Sequence, residues 1–315
     1  MKRRLLVFAV LAVALSACGS SSSGPSSSTI IGVSFYTNTI PLYAQIRQGM
    51  EQEARAKGVQ LKFSYANNDA GTQSSQIADF VTQKVNLILC SPVSVTALVP
   101  AYDQARKAGI PVISVANKVT DADEDAFIGQ DWSFVGLAQV DAAAKSLNGH
   151  GSIALITGPP VIDFVSQSTK GIKDELAKYP GIKIVAEAVD PDLSQNGGLD
   201  QANNILTAHP DVKAILTSTD DIAMGAVQAL REHNIAPGKV FVAGLDGEPR
   251  AVDSIKNNQG LSFTISVKGI TWGKQSIDVA VDWLNGKKPA THRVDSAYQI
   301  VDASNVASLT PDQLN

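Results

Sequence analysis

Asp246 is the residue whose neighbours best equip it for chemistry. It follows Val240–Ala243, an apolar run that reads as a buried parallel strand, and Gly244 ends that run. Glu248 and Pro249 then open a helix, proline being favoured in the first helical turn. The turn carries Asp246 past the strand's carboxyl end, where an open α/β sheet binds its ligands. A carboxylate there either caps the next helix or accepts hydrogen bonds from a ligand.

Catalytic groupings are missing around it. No Gly-x-Gly-x-x-Gly follows a strand, and neither a Gly-Lys-Ser/Thr phosphate loop nor a Gly-x-Ser-x-Gly elbow occurs. Gly149-His150-Gly151 precedes a strand and reads as a turn. His150, His209, His233 and His292 are scattered without metal-ligand spacing, and His209 and His233 sit at helix ends, where they favour the dipole. The residues describe a binding protein with no cofactor and no metal, and not an enzyme.

The elements that must position Asp246 alternate from Thr29 onward. Strands are expected at 30–35, 60–65, 86–90, 111–115 and 126–129, with helices at 41–57, 73–83 and 95–108 between the first four. A long helix at 131–147 follows. Strands at 152–157, 182–189, 212–217, 240–243 and 261–267 then alternate with helices at 165–178, 198–208, 221–233 and 248–256. A helix at 274–284 and a short strand at 298–301 complete the series. Such alternation means parallel sheets covered by helices. The halves echo each other: LILCSPVSVTAL and AGIPVISVA match AILTSTDDIAMG and HNIAPGKVFVAGL at nearly equal spacing. Ser91 and Thr219 hold comparable places, as do Ala116-Asn117 and Leu245-Asp246. Two facing edges of this kind make a cleft for a small ligand.

The ends of the chain set its compartment. Lys2, Arg3 and Arg4 precede the apolar run Leu5–Leu15, which is too short to span a bilayer and reads as a signal peptide over 1–17. Leu15-Ser16-Ala17-Cys18 resembles a bacterial lipobox, which implies lipidation of Cys18. The Ser/Gly tether over 18–28 then holds the folded part off the membrane. Cys90, the other cysteine, lies in an apolar strand and reads as a core residue. Loss of the three leader cations takes the formal charge from -4 to -7, which argues against nucleic acid as a partner.

Leu206–Val212 (LTAHPDV), the helix around Asp221–Leu230, Ala108–Ile113 (AGIPVI) and Val242–Gly247 (VAGLDG) together resemble the ribose-type substrate-binding proteins of bacterial ABC transporters, over roughly Thr29 to Val301. The resemblance implies an α/β fold of two similar lobes, each a parallel sheet flanked by helices, joined by a three-crossing hinge near 130–131, 267–268 and 294–295. One lobe takes 29–130 plus 268–294, and the other takes 131–267 plus 295–315. It also implies a monomer that closes on a sugar and delivers it to permease and ATPase subunits, its only membrane contact being the lipid anchor.

Family ligand residues carry over unevenly. The family carboxylate falls at Asp246. Its aromatic pair falls at Leu42 and Tyr43, a third aromatic at Leu193, its Asp-Arg pair at Ala116-Asn117 and its second-lobe arginine at Ser166–Ser168. Its Asn falls at Thr219 and its last Gln at Val267, and Tyr36 replaces a small polar residue. The expected ligand residues are therefore Tyr36, Tyr43, Ser91, Asn117, Trp132, Gln167, Thr219 and Asp246. A cleft without arginines has no grip for an anion, so a small neutral sugar or sugar alcohol, pentose-sized, is expected. The alternative is a receptor of the same fold that binds a signalling molecule. A repressor is excluded, because a leader stands where its DNA-binding helices would be.

Overall fold

The computed structural model describes residues 29–119 and 125–314. The leader, Cys18 and the tether lie outside these residues. The chain runs β1(Ile30–Phe35), α1(Pro41–Lys57), β2(Gln60–Tyr65), α2(Ala70–Thr82), β3(Leu87–Cys90), α3(Val99–Lys107), β4(Val112–Val115) and β5(Ala126–Gly129). It continues through α4(Ser133–Ser146), β6(Gly151–Thr157), α5(Asp163–Leu176), β7(Ile182–Val189), α6(Gln195–Ala208), β8(Ala214–Thr217), α7(Asp220–Glu232), β9(Phe241–Ala243), α8(Pro249–Lys256) and β10(Phe263–Ser266). Last come α9(Gly269–Leu284), β11(Arg293–Asp295), β12(Gln299–Asp302) and α10(Pro311–Leu314).

Two six-stranded sheets form among the described residues, in the orders β2-β1-β3-β4-β5-β11 and β7-β6-β8-β9-β10-β12. The central strands are fully buried apolar runs such as Leu87–Cys90 and Ala214–Thr217, as expected of parallel strands covered on both faces. The result is two α/β lobes, each a sheet flanked by helices.

The first sheet is wholly parallel, but the second is not, which corrects the sequence reading for that lobe. β12 pairs antiparallel with β10. Its direction follows from the route of the chain. β11 lies parallel to β5 at the edge of the first sheet, and three residues later the chain is in the second sheet. A strand that leaves one lobe at its cleft edge enters the other at the cleft edge, and so runs against its neighbours. β11 itself was not expected, because three mostly exposed residues carry no usable alternation.

The other two crossings lead from β5 into α4 and from β10 into α9. Gln130, in the first crossing, donates from Nε2 to Ser296 O (3.1 Å) and Ser296 Oγ (3.0 Å) in the third. The first and third crossings between the lobes are thereby tied together.

One helix starts later than expected. Residues 95–98 stay outside α3 because Ser94 Oγ accepts from the amides of Thr96 and Ala97, and Val95 N donates to Val161 O in the other lobe (3.2 Å). Pro100 then sits in the first turn of the helix.

Candidate ligand-binding cleft

The carboxyl ends of both sheets face a shared cavity of about 20 Å³, room for about one water. The first lobe contributes Ile40, Leu42 and Tyr43 from the start of α1, and Ala116 and Asn117 after β4. The second contributes Phe164 from α5, Thr219 before α7, and Leu245 and Asp246 after β9, while Trp132 reaches in from the first crossing. Two residues on this wall, Ala116 (φ 68°) and Asp246 (φ 119°), have positive φ, which non-glycine residues rarely adopt and which clusters at ligand sites.

Five of the eight expected ligand residues, Tyr43, Asn117, Trp132, Thr219 and Asp246, are on the cavity wall. Tyr43 Oη is 3.0 Å from Ser91 Oγ and accepts a long bond from Asn117 Nδ2 (3.4 Å). Asn117 Oδ1 accepts an equally long bond from the Phe164 amide across the cleft. Bonds of that length are readily exchanged for ligand contacts. Thr219 is the N-cap of α7, its hydroxyl accepting from Ile222 N (3.3 Å). Trp132 Nε1 donates to Ala116 O (2.8 Å), and its ring meets Phe164 edge-on at 5.9 Å.

The other three stand behind this wall. Tyr36 is stacked on Tyr43 at 6.1 Å, and Ser91 supports the Tyr43 hydroxyl. Burial pushes the Tyr36 phenol up to about 12, with Asp192 adding to the shift, and burial raises Tyr43 further. Gln167 is not on the wall. Its Oε1 accepts from Trp132 N (3.0 Å) and its Nε2 donates to Asp163 Oδ1 (2.7 Å), bonds that brace the first crossing.

Asp246 is not a helix cap. Glu248 holds the N-cap position of α8, and Asp246 is 8% exposed with Oδ2 lacking any hydrogen-bond partner. Burial raises its pKa well above the carboxylate range, and Asp220, Glu248 and Asp221 add to the rise. Asp220 grips the turn that carries it. Its amide donates to Leu245 O (2.7 Å), its Oδ2 accepts from Glu248 N (2.8 Å), and its Oδ1 accepts from Thr264 Oγ1 (2.7 Å). Burial outweighs these bonds and moves the Asp220 acid up to about 8. Arg250 bonds Glu248 (2.8 Å), Gln195 (2.6 Å) and Asp221 at the edge of the group.

Ile40 and Phe164 on the wall and Asp220 behind it are residues that the sequence reading missed. For Phe164 and Asp220 the internal repeat gave a signal. β6 and α5 repeat β1 and α1, so the first turn of α5 had to face the cleft as Leu42 and Tyr43 do. Asp220 is the residue after Thr219, itself the counterpart of Ser91.

Two α/β lobes with facing strand ends and a cavity between them define a two-lobed ligand-binding protein. The chain matches the periplasmic binding protein domain family over residues 31–288 and belongs to it. It is a binding protein and not an enzyme. Among its relatives, the ribose import binding protein of Bacillus subtilis (strain 168) is 27% identical over 85% of this chain and 86% of its own length. The xylitol-binding protein of Mycolicibacterium smegmatis is 28% identical over 80% of this chain and 71% of its own. The solved structure of an ABC transporter solute-binding protein from Mycobacterium smegmatis, with bound glycerol, superposes with a TM-score of 0.84 at 28% identity. It covers 90% of this chain and 96% of its own.

Proposed function

We propose that this chain is the extracytoplasmic solute-binding component of an ABC importer, holding a small carbohydrate of the pentose or sugar-alcohol class between its lobes. The observation that carries this reading is the cavity wall itself. Asp246, Thr219 and Asn117 offer hydrogen bonds to hydroxyls, and Tyr43, Trp132 and Phe164 offer faces to C–H groups. Relatives named for ribose, xylitol and glycerol support it. No lysine or arginine is on the wall among the described residues, so a carboxylate or phosphate ligand has no counter-charge there. Because the cavity has room for about one water, the ligand enters only when the lobes part, and closure over it is a hinge motion.

In this reading 29–130 with 268–294 and 131–267 with 295–315 are the two lobes of a monomer. Cys18 carries the lipid that keeps it beside its permease and ATPase. A thermal-shift screen of sugars and sugar alcohols tests the ligand class, since a ligand at 100 times its Kd adds about 2.7 kcal/mol of stability. No stabilisation by any of them contradicts the reading. The anchor is tested by palmitate labelling in the native host, where Cys18→Ser is expected to lose the label. Equal labelling of variant and parent contradicts the assignment.

A further inference from the structure

The lack of arginine and lysine on the wall argues against anions, but it does not argue against cations. The charges around Asp246 are unbalanced in one direction. Asp246 is more than nine-tenths buried, faces the cavity, and leaves Oδ2 without a partner. Asp220, Asp221 and Glu248 stand around it in the second lobe, and the Tyr43 phenol faces it from the first. Arg250, the cation bonded to this group among the described residues, is committed to Glu248, Asp221 and Gln195.

We propose that, among small carbohydrates, the cleft selects those with a primary amine in place of one hydroxyl, the ammonium pairing with Asp246. This rests on the carbohydrate reading of the site and narrows it. An ammonium supplies three donors, one of which satisfies Oδ2, and its charge offsets the cluster as a hydroxyl cannot. The same wall presents the rings of Tyr43, Trp132 and Phe164, and aromatic faces attract cations. Aliphatic neighbours Leu42 and Leu245 exclude water from the pair, which strengthens it.

Titration calorimetry of the full mature chain tests this with glycerol against 2-amino-1,3-propanediol and xylitol against 1-amino-1-deoxyxylitol. Each titration is run at pH 7. In at least one pair the amine is expected to bind roughly ten- to a hundredfold more tightly than its parent, the range for a hydrogen bond to a charged group. Asp246→Asn, which keeps the shape of the side chain, should remove the preference. Should that variant not fold, the wild-type pairs decide alone. Parents that bind as tightly as their amines in both pairs, or a preference that survives Asp246→Asn, overturn this inference and leave the carbohydrate reading standing. Failure of all four compounds and of D-ribose to bind overturns both.

Discussion

The two lobes share one strand order but present different edges to the cleft. In the first, an eight-residue stretch, 91–98, separates β3 from α3, and it reaches across to Val161. In the second, only Ser218 and Thr219 separate β8 from α7, so Thr219 and Asp220 project directly from a helix N-terminus. One pair of flanking helices differs as well. α2 and α3 pack through Ile77, Phe80, Leu98 and Tyr102, which form their own apolar cluster. α6 and α7 meet backbone to backbone through Gly198 and Gly225. The first lobe thus supplies aromatic and neutral polar groups from a longer loop, and the second supplies acids from a tightly held frame. The same scaffold thus carries two chemically different edges.

The largest expected effect comes from breaking that frame. A Cβ on Gly225 would lie 2.2 Å from Gln195 O, whereas one on Gly71 in α2 meets nothing closer than 3.4 Å. Gly225→Ala should therefore cost about 3 kcal/mol of stability or more, while Gly71→Ala should be neutral or slightly stabilising. Urea unfolding of both variants measures the contrast.

Next is the chemistry of the two edges. Asp246→Ala should weaken binding of the carbohydrate ligand by roughly ten- to a hundredfold, and Asn117→Ala by about tenfold or less, as befits charged and neutral hydrogen bonds. Neither should lower ligand-free stability much, because Asp246 Oδ2 has no partner and the Asn117 bonds are 3.4 Å long. Calorimetry with parallel urea unfolding separates the two effects.

The third effect is a slope. The Asp220 acid is raised from 3.8 to about 8 in the folded chain, so its contribution to stability is full below about pH 4 and is lost as pH rises through about 8. Asp220→Asn should flatten that part of the pH–stability curve, which unfolding at pH 5 and pH 8 reveals. An unchanged slope would mean that the acid is ionised throughout.

The fold was legible because strands buried on both faces are continuous apolar runs, and helices such as α1 and α3 end at recognisable stops, Gly58 and Gly109. β11 and the antiparallel direction of β12 were not, because they follow from the route of the chain between the lobes. Asp246 could be found from its position beyond a strand. The crowding of acids about it could not, since Asp220 and Asp246 are distant in sequence and come together only through the β8–β9 pairing and the turn beyond it. Gln167 shows the opposite failure: its position on α5 is near the cleft, but its amide is drawn to Asp163 and the Trp132 backbone.

Closure of the two edges on a carbohydrate is the central claim, and small-angle scattering tests it most directly. Profiles of the mature chain should be recorded alone and saturated with a sugar or sugar alcohol that stabilises it in the thermal screen. A ligand shifts the population only if it binds the closed form better, so the radius of gyration should fall on saturation. Identical profiles with and without a saturating ligand would contradict the account.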